Sequence, residues 1–117
     1  MLTQNVVIDQ AGNLAVAKVT TPLLSATEGQ EIIAALAERM RYSNASQFVL
    51  DLHEVEFMDS GFIGTLVSFL QDVQQMRGRI MIAAARPNVA FLFKVTRLDK
   101  VFALCDSVEE AVKEMQG

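Results

Sequence analysis

The stretch Phe48-Val49-Leu50-Asp51-Leu52 restricts most strongly what this chain can fold into. Its apolar residues are consecutive rather than alternating, so it reads as a mostly buried strand of the kind found in parallel sheets. Strands of that type need helices between them, and the sequence supplies helix signals on both sides. Upstream, Ser25-Ala26-Thr27-Glu28 has the capping-box form, a hydroxyl and a carboxylate able to satisfy two amides reciprocally. Ile32, Ile33, Leu36 and Met40 then fall at helical spacing, and the helix fades before Ser43-Asn44. Downstream, Phe62, Ile63, Leu66, Val67, Phe69, Leu70, Val73 and Met76 form a broad apolar helix face. Gly78, just beyond Arg77, is the expected residue past that helix end.

The remaining segments complete the pattern. Asn5 to Asp9 and Leu14 to Thr20 flank the turn Ala11-Gly12-Asn13 and read as a hairpin that Pro22 closes. Arg79 to Ala85 is a further strand. Asn88 is placed to cap a short helix holding Val89, Phe91, Leu92 and Val95. Val101 to Leu104 reads as a last strand, and Ser107-Val108-Glu109-Glu110 is a second capping box opening a terminal helix. The order β, β, α, β, α, β, α, β, α predicts an α/β fold. It implies a mixed, mostly parallel sheet of about five strands with about four helices. One domain over residues 1–117 accommodates it.

Composition removes several function classes. A hydrophobic content of 51% suits one well-filled core. Direct membrane insertion is not expected, because the longest charge-free apolar stretch, Ser60 to Gln71, is shorter than the ~20 residues of a spanning helix. Met1 to Asn5 lacks the basic start and apolar run of a signal peptide. The single cysteine, Cys105, excludes an intrachain disulfide, and a reducing, cytoplasmic location is expected. A net charge of −4 argues against a general nucleic-acid binder. Charge is nonetheless uneven. Arg77 to Lys100 holds six bases and one acid, and Asp51 to Asp59 holds four acids and no base. These are either opposite-sign faces that steer a protein partner or solvated loop charges.

No catalytic group can be assembled. His53 is the only histidine, so no histidine-based metal cluster exists, and Cys105 has no activating base near it in sequence. Gly61-Phe62-Ile63-Gly64 matches neither glycine-rich phosphate motif. Neither an enzyme nor a cofactor is expected. Asp59-Ser60 differs in that a strand leads into a helix whose first residues are an acid and a hydroxyl. Either residue serves as an N-cap. A phosphate on a serine there would meet free amides and the positive end of the helix dipole, so the fold would tolerate it. It would also add up to about two negative charges that a docked partner must accommodate.

The run Phe48 to Leu52, then Val55-Glu56-Phe57-Met58-Asp59-Ser60, Gly64 and Leu66, resembles the STAS domain of bacterial anti-sigma factor antagonists. Gly78-Arg79-Ile80, the stretch Val95 to Phe102 and Ser107-Val108-Glu109-Glu110-Ala111 resemble its later half. The resemblance implies that Ser60 is phosphorylated by a partner that is both anti-sigma factor and serine kinase. The unphosphorylated form would bind that partner, and a PP2C-type phosphatase would restore it. Asp59, Ser60, Gly61 and Phe62 would then face the partner. The family usually has glycine where Phe62 stands, and Gly61 falls one place early. Phe62 is therefore either a core anchor or an exposed apolar contact. The departure also motivates an alternative, a non-switching STAS subunit of a larger assembly such as a transporter or signalling scaffold. A homodimer is compatible with either reading.

Overall fold

The computed structural model describes residues 5–116. The expectations for Met1 to Gln4 lie outside the described residues. A hairpin comes first, β1 (Val6–Ala11) and β2 (Leu14–Val19), turned at Gly12 with φ 61. Then follow β3 (Leu23–Leu24), α1 (Ala26–Tyr42), β4 (Gln47–Asp51), β5 (Phe57–Met58) and α2 (Ser60–Gln75). The chain continues through β6 (Arg79–Ala83), α3 (Pro87–Val95), a 3-10 turn at Leu98–Lys100, β7 (Ala103–Cys105) and α4 (Val108–Gln116). The main sheet has the order β1-β2-β4-β6-β7, and every pairing is parallel except that of β1 with β2. This is the expected α/β architecture, with β4 at its centre.

Alternation along the central strands divides the interior in two. Phe48 and Leu50 of β4 join Ile80 and Ile82 of β6 in the larger core, closed by Ile32 and Leu36 of α1 and by Phe62, Leu66 and Phe69 of α2. Phe93 of α3 and Phe102 meet edge to face, centroids 5.9 Å apart, in the same core. Val49 and Met81 point the other way, into a smaller core closed by Ala111 and Met115 of α4. Each parallel connection carries its helix back to the start of the next strand. All four helices therefore begin at the carboxyl ends of the strands.

Local signals were realised with some substitutions. Ser107 Oγ accepts from the Glu110 amide at 3.1 Å, while the Glu110 carboxylate takes the Asp106 amide. Ser25 occupies its cap position, but its hydroxyl donates to Glu28 Oε2 at 2.9 Å instead of serving a helix amide. Asn88 is not the cap of α3. Pro87 opens that helix after Arg86, and Asn88 Nδ2 donates to Glu56 O at 2.6 Å. The last strand starts at Ala103 because Leu98 to Val101 turn first.

The end of α2 also departs from expectation. The left-handed position belongs to Arg77, with φ 58, and Gly78 follows it. Gly78 N donates to Val73 O and Arg77 N to Gln74 O, which closes the helix with both bonds of a Schellman motif. Gly78 is needed for room, since a Cβ there would overlap Ser46 O. A second close approach joins α1 to α2, where the Phe62 ring lies on Gly29.

Two consequences are measurable by denaturant unfolding. Gly78→Ala should cost at least about 2 kcal/mol, because the obstruction is backbone. Gly29→Ala should cost about 1–3 kcal/mol in the natural chain. In a Phe62→Leu background the same change should cost less or become stabilising, since the ring it strikes is gone.

Candidate functional site

Helix α2 needs acceptors for its first amides, and Asp59 provides one: its Oδ1 accepts from Phe62 N at 3.2 Å. Ser60 is the first residue of the helix. Its side chain is exposed and makes no hydrogen bond among the described residues. Gly61 is exposed beside it. The sequence expectation of a helix start capped within this pair holds, with Asp59 as the cap.

Phe62 resolves differently from its neighbours. It is fully buried, so of the two roles open to it the core anchor is the one adopted. The expectation that Phe62 lies on the partner-facing surface is corrected accordingly. Spacing from Phe62 to Leu66 and Phe69 turns all three toward the sheet, and Gly29 leaves space for the ring. The unusual residue in the motif thus changes the floor of the site and leaves its surface to Asp59, Ser60 and Gly61.

The approach to Ser60 is pinned along its length. Leu23 pairs with Phe57 and Leu24 with Met58 in a two-stranded parallel sheet, and Asp59 N donates to Leu24 O at 3.1 Å. The amides of Glu56 and Phe57 both reach Pro22 O. Asn88 holds Glu56 O, and Arg86 Nε holds His53 O at 3.1 Å. At the root of the loop, the buried carboxylate of Asp51 accepts from His53 N and lies 2.8 Å from His53 Nδ1. His53 is thereby a loop anchor.

This short sheet also exposes a feature that periodicity could not reveal. Its inward residue Leu24 is buried, while the outward pair Leu23 and Phe57 is 52% and 64% exposed. Two large apolar side chains thus stand side by side, and one of them, Phe57, is three residues before Ser60. The only available signal was their position, Leu23 after Pro22 and Phe57 just before Asp59.

The acidic run does not form a face, and the basic run is divided between the two ends of the sheet. Of the acids between Asp51 and Asp59, Asp51 is buried and Glu54 lies 3.4 Å from Lys18 Nζ, leaving Glu56 and Asp59 open. Of the bases, Arg86 is near the Ser60 end, whereas Arg79 and Lys100 share a depression at the amino ends of the strands. Nor does catalytic chemistry emerge. Cys105 lines an open cavity of about 780 Å³ with Asp106, Glu110 and Glu114. Burial first, then the carboxylates of Glu114, Glu110 and Asp106, raise its thiol pKa, which disfavours the reactive thiolate. No group of three or more metal-ligating side chains occurs among the described residues, and none of their helices is long and apolar enough to cross a membrane.

Known proteins share this fold. An anti-sigma factor antagonist homologue of Thermotoga neapolitana is 29% identical over 72 residues, 62% of this chain and 64% of that protein. The chain thus spans just under two thirds of that relative's length. The crystal structure of a Thermotoga maritima protein assigned as an anti-sigma factor antagonist superposes with a TM-score of 0.82 at 17% identity, covering 98% of this chain and 97% of that one. The Bacillus cell fate determinant SpoIIAA, solved in its phosphorylated form, superposes with a TM-score of 0.74 at 15% identity over 94% and 98% of the two chains. At these identities the superpositions speak for the fold. The STAS domain model matches residues 5–111, nearly all that the structure describes, and the chain belongs to the STAS domain family.

Proposed function

We propose that this chain is an anti-sigma factor antagonist that works by partner switching, with Ser60 as its phosphorylation site. The observation that carries the reading is an exposed serine hydroxyl, without a hydrogen bond among the described residues, at the first position of α2, on a loop anchored from both sides. The names of the relatives supply the partner class, an anti-sigma factor. In this reading that partner is also the serine kinase, and a PP2C-type phosphatase reverses the modification. The protein itself is not an enzyme and acts in the cytoplasm.

The physical logic is a surface switch. Asp59, Ser60 and Gly61 meet the partner, and the apolar pair Leu23 and Phe57 supplies desolvated contact area beside them. Phe62 acts from beneath by fixing the helix. A phosphoserine at Ser60 would retain the fold, because the first amides of α2 face an anion favourably. Next to Asp59 and Glu56 it would concentrate negative charge on the docking surface, and a partner fitted to the neutral hydroxyl would be released. The alternative, a non-switching subunit of a larger assembly, draws its motive from the Gly61-Phe62 departure. Burial of Phe62 weakens that motive, since the altered ring is not on the surface.

With the cognate kinase and ATP, intact-mass measurement should show one added phosphate, absent in Ser60→Ala. Ser60→Asp should bind the anti-sigma factor at least about tenfold more weakly than the natural chain. Unchanged binding by Ser60→Asp would sink the switch and favour the subunit alternative. Separately, Phe57→Ser should weaken partner binding by about tenfold while leaving thermal stability nearly unchanged, because the ring is already exposed.

A further inference from the structure

The amino ends of the parallel strands, away from Ser60, gather positive charge. Arg79 opens β6 opposite Gln47, the first residue of β4. It lines a depression of about 250 Å³ together with Asp99, Lys100 and Val101. Arg77 stands two residues before Arg79, and Arg97 leads into the 3-10 turn that holds Lys100. The two connections therefore bring four bases and one acid to this end. None of these four bases forms an ion pair among the described residues. Met76 and Val101, exposed large apolar side chains, belong to the same connections.

Two of the arginines occupy positions that disfavour them. Arg77 follows the C-cap of α2 with φ 58, and Arg97 follows the C-cap of α3 with φ 62. This left-handed position is the one glycine adopts without steric cost. The helix dipole does not account for the choice, since a base in the last helical turn answers the same carbonyls with no backbone penalty. Two of the four non-glycine residues with left-handed backbone among the described residues, the others being Asn44 and Ala84, are thus arginines at this end, each carrying the steric cost of a side chain there.

We propose that this basic end is a second docking surface, separate from the Ser60 site, for an acidic segment of another protein. Arginine forks match carboxylates in paired hydrogen bonds. The interleaved Met76 and Val101 suit a protein interface, where methionine and arginine are enriched. A nucleic acid would require a denser array of cations than four bases with an acid among them, on a chain of net charge −4. The inference stands independently of phosphorylation, because it involves the opposite end of the molecule.

The test titrates the full chain with a short amphipathic peptide of glutamate and leucine, following backbone amide resonances by NMR. Perturbations should centre on Arg77, Arg79, Arg97 and Lys100, and salt should weaken the binding. The double variant Arg77→Gly/Arg97→Gly should bind at least about fivefold more weakly, yet melt a few degrees higher. Arg79→Gln, at an ordinary strand position, should weaken binding without that gain. A footprint elsewhere, or undiminished binding by the double variant, would overturn the proposal. Tighter binding at this end to phosphatidylglycerol vesicles or to a single-stranded oligonucleotide would also overturn it. So would salt-sensitive self-association through these arginines without peptide binding.

Discussion

Burial of β4 on both faces is the constraint from which the rest of the structure follows. Phe48 and Leu50 project into one core and Val49 into the other, so the strand needs a helical layer on each side. Parallel neighbours then require crossovers, and each crossover sets its helix antiparallel to the strands. The four helix N-termini meet at one end of the sheet as a result. Ser60 lies at that end because the loop leaving β4 has nowhere else to begin α2. Position and chemistry are linked there: the end where the chain turns into its helices also presents unsatisfied amides.

The layered fold was legible because its signals are local. Consecutive apolar residues marked β4 and β6, helical spacing marked α1 and α2, and the serine-to-glutamate pattern marked the start of α4. What escaped depends on distant contacts. Two-residue strands such as Leu23-Leu24 and Phe57-Met58 carry no period, and only their mutual pairing defines them. Asn88 resembles a cap by type, yet Pro87 takes the first helical position and frees the amide side chain to hold Glu56 O. Gly78 follows the helix end where a left-handed glycine is expected, yet Arg77 takes that conformation and the glycine is required by the space beside Ser46.

For the site, the division lies between backbone and surface. A cap within Asp59-Ser60 follows from the order of residues, and the structure gives that place to Asp59. Whether Phe62 points in or out could not be decided from α2 alone, since the answer rests with Gly29 on another helix. The apolar pair Leu23 and Phe57 was invisible for the same reason, being created by the meeting of two separate segments. The anchoring of the loop by Asp51, Arg86 and Asn88 adds rigidity that no single segment encodes. A modification on such a support, as proposed for Ser60, would alter what a partner meets without requiring the domain to rearrange.

The contact between the Phe62 ring and Gly29 bears on how this motif diversifies. A phenylalanine at the second place after Ser60 is admissible only in a chain whose first helix leaves a hollow opposite it. The six residues from Asp59 to Gly64 are therefore not a portable cassette. Moved alone into a relative with a side chain at the facing position, they would strain the helix pair, and the relative's own motif placed here would leave a void. Positions 29 and 62 are therefore a single unit of packing, in which bulk gained on one helix has to be given up on the other.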